Sequence, residues 1–187
     1  MTSAPIFFEP EILLAGQDVR VALFDVDGVL TDGGLYYTED GEQIKRFHVQ
    51  DGYGLKLLRA GGITPAVITG RDSPPLRRRM QDLGIEHVHY GVEKKLPAAQ
   101  ALLEALGLDW SQAAVIGDDW PDLPLLACAA LPVVPANAHP EARALARYVT
   151  RAHGGAGAAR EFCDLLLTAT GRYRALRDAL LEPSRIP

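Results

Sequence analysis

Cysteine is scarce in this chain, with two in 187 residues, Cys128 and Cys163. Each lies in an apolar run (LLACAAL, EFCDLLL), so both read as small buried thiols. A chain of this length can build a core that needs no disulfide staple. Positive charge is short as well: 19 Lys and Arg stand against 24 Asp and Glu, for a net charge of -5. That balance excludes the broad basic surface by which a nucleic-acid binder holds phosphates. No apolar run approaches the ~20 residues of a membrane-spanning helix. The N-terminal stretch MTSAPIFFEPEILLAG has no basic segment before its short apolar part and carries Glu9 and Glu11. It does not read as a signal peptide, and a cytoplasmic location is expected. Internal repeats and low-complexity linkers are absent too, and with 48% hydrophobic and 23% charged residues the chain reads as one packed domain.

What is present is alternation. Short apolar runs at VALFDV (21–26), TPAVITG (64–70), HVHY (87–90), AAVIGD (113–118), ALPVVP (130–135) and YVT (148–150) read as strands. Between them lie helical patterns at about 52–61, 73–83, 94–106, 121–128 and 140–146, with a final one at 158–169. Strands separated by helices predict an α/β domain with a mainly parallel sheet, and strands apolar on both faces predict helices on both sides of it. One segment breaks the pattern. Residues 33–49 (GGLYYTEDGEQIKRFHV) read as a β-hairpin after the first strand, turning at Glu39-Asp40-Gly41-Glu42. Its Tyr36, Ile44, Phe47 and Val49 are available for contacts outside the main sheet, and an isolated two-stranded ribbon is marginal alone.

Chemistry concentrates where strands end. Asp25-Val26-Asp27-Gly28 follows the first strand, so its carboxylates emerge at the carboxyl edge, where open α/β sheets bind ligands. Carboxylates this close repel one another unless a cation neutralises them, and hard Mg²⁺ prefers oxygen ligands. Asp side chains also cap turns, which accounts for one such residue but poorly for the cluster. The second strand ends in Ile68-Thr69-Gly70-Arg71, ordinary turn chemistry by itself. The fourth ends in Gly117-Asp118-Asp119-Trp120-Pro121-Asp122, a second acidic cluster at the same edge. Lys94 and Lys95 open a helix, where a cation opposes the helix dipole, so one of them points to a partner anion and the other to solvent.

In this order, DVDGVLTD, ITGR, the lysine of KKL and GDDWPD resemble the four motifs of the haloacid dehalogenase-like phosphohydrolases. FHVQDGYGLKLL and AHPEARALARYVTRAHGGAGAAREFCDLLL are similar, within that superfamily, to the 3-deoxy-D-manno-octulosonate (KDO) 8-phosphate phosphatases of lipopolysaccharide precursor synthesis. The likeness covers roughly residues 19–172, leaving 1–18 as an extension and 173–187 as a tail. It implies a Rossmann-like, doubly wound fold with the hairpin flap 33–49 and no large cap domain. By this resemblance Asp25 is the nucleophile and Asp27 the general acid and base. Mg²⁺ would be held by the carboxylates of Asp25 and Asp118 and the carbonyl of Asp27. Thr69 and Lys95 would bind phosphoryl oxygens, and Asp119 and Asp122 would orient the lysine and the metal's waters. Lys95 is the match, because the family lysine directly precedes an apolar residue, here Leu96.

The resemblance also places His48, Val49, Gln50, Asp51, Gly52, Lys56, Gly70, Arg71, Arg79, Lys95 and Asp122 around a sugar-acid phosphate. Gln50 and Lys56 depart from the arginines the family often carries there. Arg71 favours the octulosonate branch over the sialic-acid-type 9-phosphate phosphatases, which typically carry glutamate at that position. The alternatives are a phosphatase for another nonulosonate or sugar phosphate, or a non-catalytic phosphosugar-binding module. The second needs neither nucleophile nor acid. The family's hairpins meet at the centre of a homotetramer, and a neighbour's glycine-rich tail reaches the active site. Gly154-Gly155-Ala156-Gly157 resembles that tail, and otherwise reads as a flexible loop.

Overall fold

The first strand, β1 (Val21–Phe24), is buried at all four positions because helices cover both faces of the sheet it centres. Val21 and Leu23 enter one apolar layer and Ala22 and Phe24 the other, so the period-two alternation of a strand is divided between two cores. The computed structural model describes residues 7–181, the side chains of Glu42 and Gln43 excepted. Residues 1–6 of the expected extension and 182–187 of the expected tail lie outside the described residues.

The hairpin strands are β2 (Tyr36–Thr38) and β3 (Gly41–Ile44). The main sheet continues with β4 (Thr64–Ile68), β5 (His87–His89), β6 (Ala113–Ile116), β7 (Leu131–Val134) and β8 (Tyr148–Val149). Their order is β5-β4-β1-β6-β7-β8, with every neighbouring pair parallel. All six expected strands form. Each is one or two residues shorter than its expected range.

Of the eight α-helices among the described residues, seven pack on the sheet: α1 (Pro10–Gly16), α2 (Val49–Ala60), α3 (Pro74–Leu83) and α7 (Ala158–Ala169) cover one face. On the other face lie α4 (Lys95–Leu106), α5 (Leu123–Cys128) and α6 (Pro140–Leu145). The expectation that the helix at 158–169 is the last is corrected by α8 (Tyr173–Leu181), which brings Tyr173 and Leu176 onto the first core. Its signal was present in Tyr173, Leu176 and Leu180, which share one helical face. α1 was not legible in the same way: it has seven residues, and it is stabilised by packing, with Gly16 against Ala169 and Leu131.

Three further expectations are corrected. The hairpin turns at Glu39-Asp40, because Thr38 pairs with Gly41, whose φ of +102° suits glycine. Phe47 and Val49 do not belong to the ribbon: Phe47 packs on the first core under the Arg79 guanidinium, and Val49 opens α2. Cys163 is buried as expected, but Cys128, at the end of the six-residue α5, is exposed; both thiols are free. Among the described residues no helix is long and apolar enough to cross a membrane.

Candidate active site

β4, β1 and β6 are neighbours, so the residues that follow them converge at one edge. Asp25 and Asp27 come from β1, Thr69 from β4 and Asp118 from β6. Gly28, at φ +93°, lets the chain leave β1, and a Cβ there would overlap the Asp118 carboxylate. Glycine at this point therefore lets the two acidic strand ends meet. Carboxylate oxygens of Asp25, Asp118 and Asp122 lie within 4.8 Å of one another.

Lys95 balances part of this charge. Its ammonium, on a side chain 4% exposed, stands 2.6 Å from Asp25 Oδ1 and 2.7 Å from Asp122 Oδ1. The other Asp122 oxygen accepts the backbone N–H of Asp118 at 3.0 Å, so Asp122 ties the α4 lysine to the β6 loop. The cation at the start of α4 thus has the partner anions its unfavourable place requires, and Lys94 beside it is exposed. Burial takes hydration from the Lys95 ammonium, but Asp25 and Asp122 more than offset that loss, and its pKa is raised.

One lysine does not neutralise the cluster. Burial, with repulsion from Asp122, pushes Asp25 up to about 6 despite the opposing Lys95. Burial, with repulsion from Asp25, Asp122 and Asp119, pushes Asp118 up to about 8. Two acids that resist ionisation side by side are what a divalent cation would relieve, and their hard oxygens suit Mg²⁺. The donor set fits the metal.

Asp27 stands apart from this trio. Its Oδ1 is 2.5 Å from the Lys45 ammonium and accepts the Thr31 hydroxyl at 3.4 Å, while its Oδ2 is 3.8 Å from Arg71 Nε. Arg71 also donates to the Tyr37 hydroxyl at 3.3 Å. An open pocket of about 690 Å³ is lined by Asp25, Asp27, Thr69, Gly70, Arg71, Lys95, Asp118, Asp119 and Asp122, and by Val92, Glu93 and Pro121.

The structure does not bring the other expected substrate residues into this pocket. Asp51 is buried and turned toward α7, accepting the N–H groups of Arg160 at 2.7 Å and Gly157 at 3.3 Å, so it caps that helix. Arg79 donates to the His48 carbonyl at 3.2 Å and crowds Gly52. Val49, Gln50 and Lys56 are exposed on α2. Lys45 was missed by sequence reasoning: a lysine just past a polar hairpin strand reads as solvated, and no local pattern marks it as buried. The reading of the glycine-rich segment as a flexible loop is corrected at Gly154 and Gly155. Gly154 and Gly155 are buried in their own chain, donating to Asn137 Oδ1 and the Val29 carbonyl, each at 2.9 Å. A Cβ at either position would overlap the backbone of Gly28, Thr31 or Asp32, so the segment packs closely against the loop that follows Asp25 and Asp27 in the chain.

Comparison with known proteins agrees with this geometry. The family described as haloacid dehalogenase-like hydrolase matches residues 79–162. The 3-deoxy-D-manno-octulosonate 8-phosphate phosphatase KdsC of Escherichia coli K12 is 42% identical over 162 residues, 87% of this chain and 86% of that protein. The crystal structure of the corresponding phosphatase from Yersinia pestis superposes with a TM-score of 0.86 at 42% identity, covering 88% of this chain and 89% of that one. The Moraxella catarrhalis phosphatase, in complex with magnesium, phosphate and KDO, superposes with a TM-score of 0.88 at 39% identity, covering 91% and 98%. This chain belongs to the haloacid dehalogenase-like hydrolases, in the family of the 3-deoxy-D-manno-octulosonate 8-phosphate phosphatases.

Proposed function

We propose that this protein hydrolyses KDO 8-phosphate to KDO and phosphate through an aspartyl phosphate on Asp25. The observation that carries the reading is the partly buried cluster of Asp25, Asp118, Asp122 and Lys95 at the carboxyl edge of the sheet. In this reading a carboxylate oxygen of Asp25 attacks phosphorus and the bond to the sugar oxygen breaks. Asp27 gives its proton to the departing alkoxide, then takes one from the water that attacks the aspartyl phosphate. Lys95 and the Thr69 hydroxyl hold phosphoryl oxygens, and Asp122 fixes Lys95. Mg²⁺, held by the carboxylates of Asp25 and Asp118 and the carbonyl of Asp27, would offset the repulsion between nucleophile and phosphate dianion. Arg71 supplies a pocket cation for the sugar-acid phosphate.

The assembly we propose is a homotetramer joined through the hairpins. Its support is the exposure of Tyr36, Tyr37 and Ile44 on a ribbon that buries little of its own surface. Val49, Gln50 and Lys56, exposed on α2 and off the pocket, would then serve where chains meet. A cytoplasmic location accords with the exposed free thiol of Cys128. The test is phosphate release across a panel of sugar phosphates with Mg²⁺. KDO 8-phosphate is expected to give the highest kcat/KM, and a clear preference for another nonulosonate phosphate would reassign the substrate while leaving the chemistry in place.

A further inference from the structure

Lys45 has no part in the reaction as described, yet its position is costly. Its side chain is 1% exposed, and an ammonium withdrawn this far from water needs a paired anion to compensate its lost hydration. Asp27, eighteen residues earlier in the chain, is an anion in direct contact with it. Asp27 lies beyond the end of β1, in the turn made by Gly28, so sheet pairing does not fix its side chain. What fixes it comes from elsewhere. Oδ1 is engaged by Lys45 at 2.5 Å and by Thr31 at 3.4 Å, which leaves Oδ2 on the side of Arg71, a pocket residue. Arg71 in turn contacts Tyr37 of β2. Two lines of contact therefore run from the hairpin to one carboxylate, one direct through Lys45 and one through Tyr37 and Arg71.

We propose that Lys45 is a positioning residue that holds the rotamer of Asp27 so that Oδ2 faces the reacting ester, which makes the hairpin part of its own chain's reaction centre. The proposal deepens, and rests on, the reading of Asp27 as acid and base. It differs from a role in assembly, because the contact lies within one chain.

The test compares Lys45→Met, which keeps length and bulk without charge, and Lys45→Gln with the wild type, with folding checked by circular dichroism and thermal melting. For KDO 8-phosphate, kcat is expected to fall by about 10²-fold, as when a reacting group is misplaced by about 1 Å, with KM changed little. The first-turnover release of p-nitrophenolate from p-nitrophenyl phosphate should change little, because that leaving group departs without help from Asp27. Wild-type kcat in either folded variant would show that Lys45 only fills space. Equal losses on both esters would show a general collapse of the site, and either result overturns the proposal. Asp27→Asn measured alongside separates the two levels of argument. If it keeps wild-type turnover the acid/base reading itself fails, whereas an inactive Asp27→Asn beside a fully active Lys45→Met removes only the role of Lys45.

Discussion

At the carboxyl edge of the sheet the side chains of Asp25, Lys95 and Asp122 are withdrawn from water to 11%, 4% and 3% exposure. A few residues along the chain, the hairpin does the reverse, leaving Tyr36 at 48%, Tyr37 at 61% and Ile44 at 58%. Soluble domains ordinarily place these residue types the other way round. Each inversion costs stability in the isolated chain. Buried carboxylates that repel one another suit a cation and a phosphate, whereas an exposed aromatic ribbon suits another protein surface. The two regions are also wired together, since Lys45 and Arg71 join the hairpin to Asp27.

The charged edge is where substitution should cost most. Asp25→Asn is expected to lower phosphate release by about 10⁴-fold or more while the protein stays folded, because the amide keeps the shape but cannot attack phosphorus. Turnover near the wild-type rate would break the assignment of this edge as the reaction centre. Chelation with EDTA should abolish activity and Mg²⁺ should restore it. Asp118→Ala should raise the Mg²⁺ needed for half-maximal rate by at least about 10-fold, read from a metal titration.

The backing of that edge should answer in stability. Gly155→Ala places a Cβ at φ +64° against the backbone of Asp32 and is expected to cost about 2–4 kcal/mol in urea unfolding. A variant as stable as the wild type would mean that the glycine segment is not a rigid support. The hairpin should respond in the opposite way. Tyr36→Asp with Ile44→Asp places charge on positions exposed in the single chain and covered in the proposed assembly, so sedimentation should shift from tetramer to smaller species while circular dichroism shows the chain still folded. Hydrolysis of KDO 8-phosphate should then fall more than that of a small generic phosphate ester. A wild type that sediments as an active monomer would remove the assembly from the proposal. The smallest effect is expected at Cys128→Ser, within about 0.5 kcal/mol of the wild type, because the thiol is exposed and unbonded.

Much of the charged edge was legible because its signals are local. Asp25 and Thr69 each follow an apolar run directly and Asp118 follows one after Gly117, so period and punctuation alone place them at the carboxyl ends of strands. Parallel strands joined by helices then put those ends on one side of the sheet. The hairpin was legible as a ribbon, but its turn was not, since the pairing of Thr38 with Gly41 depends on strand register. Phe47 looked like another exposed aromatic of the ribbon, and only the fold brings it onto the core beneath Arg79.

The sequence by itself determined the class of the fold, where along the chain its main-sheet strands lie and the identity of the acids at their ends, because periodicity, turn chemistry and strand punctuation act over a few residues. Tertiary structure alone decided which charges become partners. Asp51 reaches the amide of Arg160 across 109 residues, Lys95 reaches Asp122 across 27, and Lys45 reaches Asp27 across 18. No local pattern encodes such pairings. They arise when packing removes these groups from water and leaves each charge or amide only the partner that the fold has brought within reach.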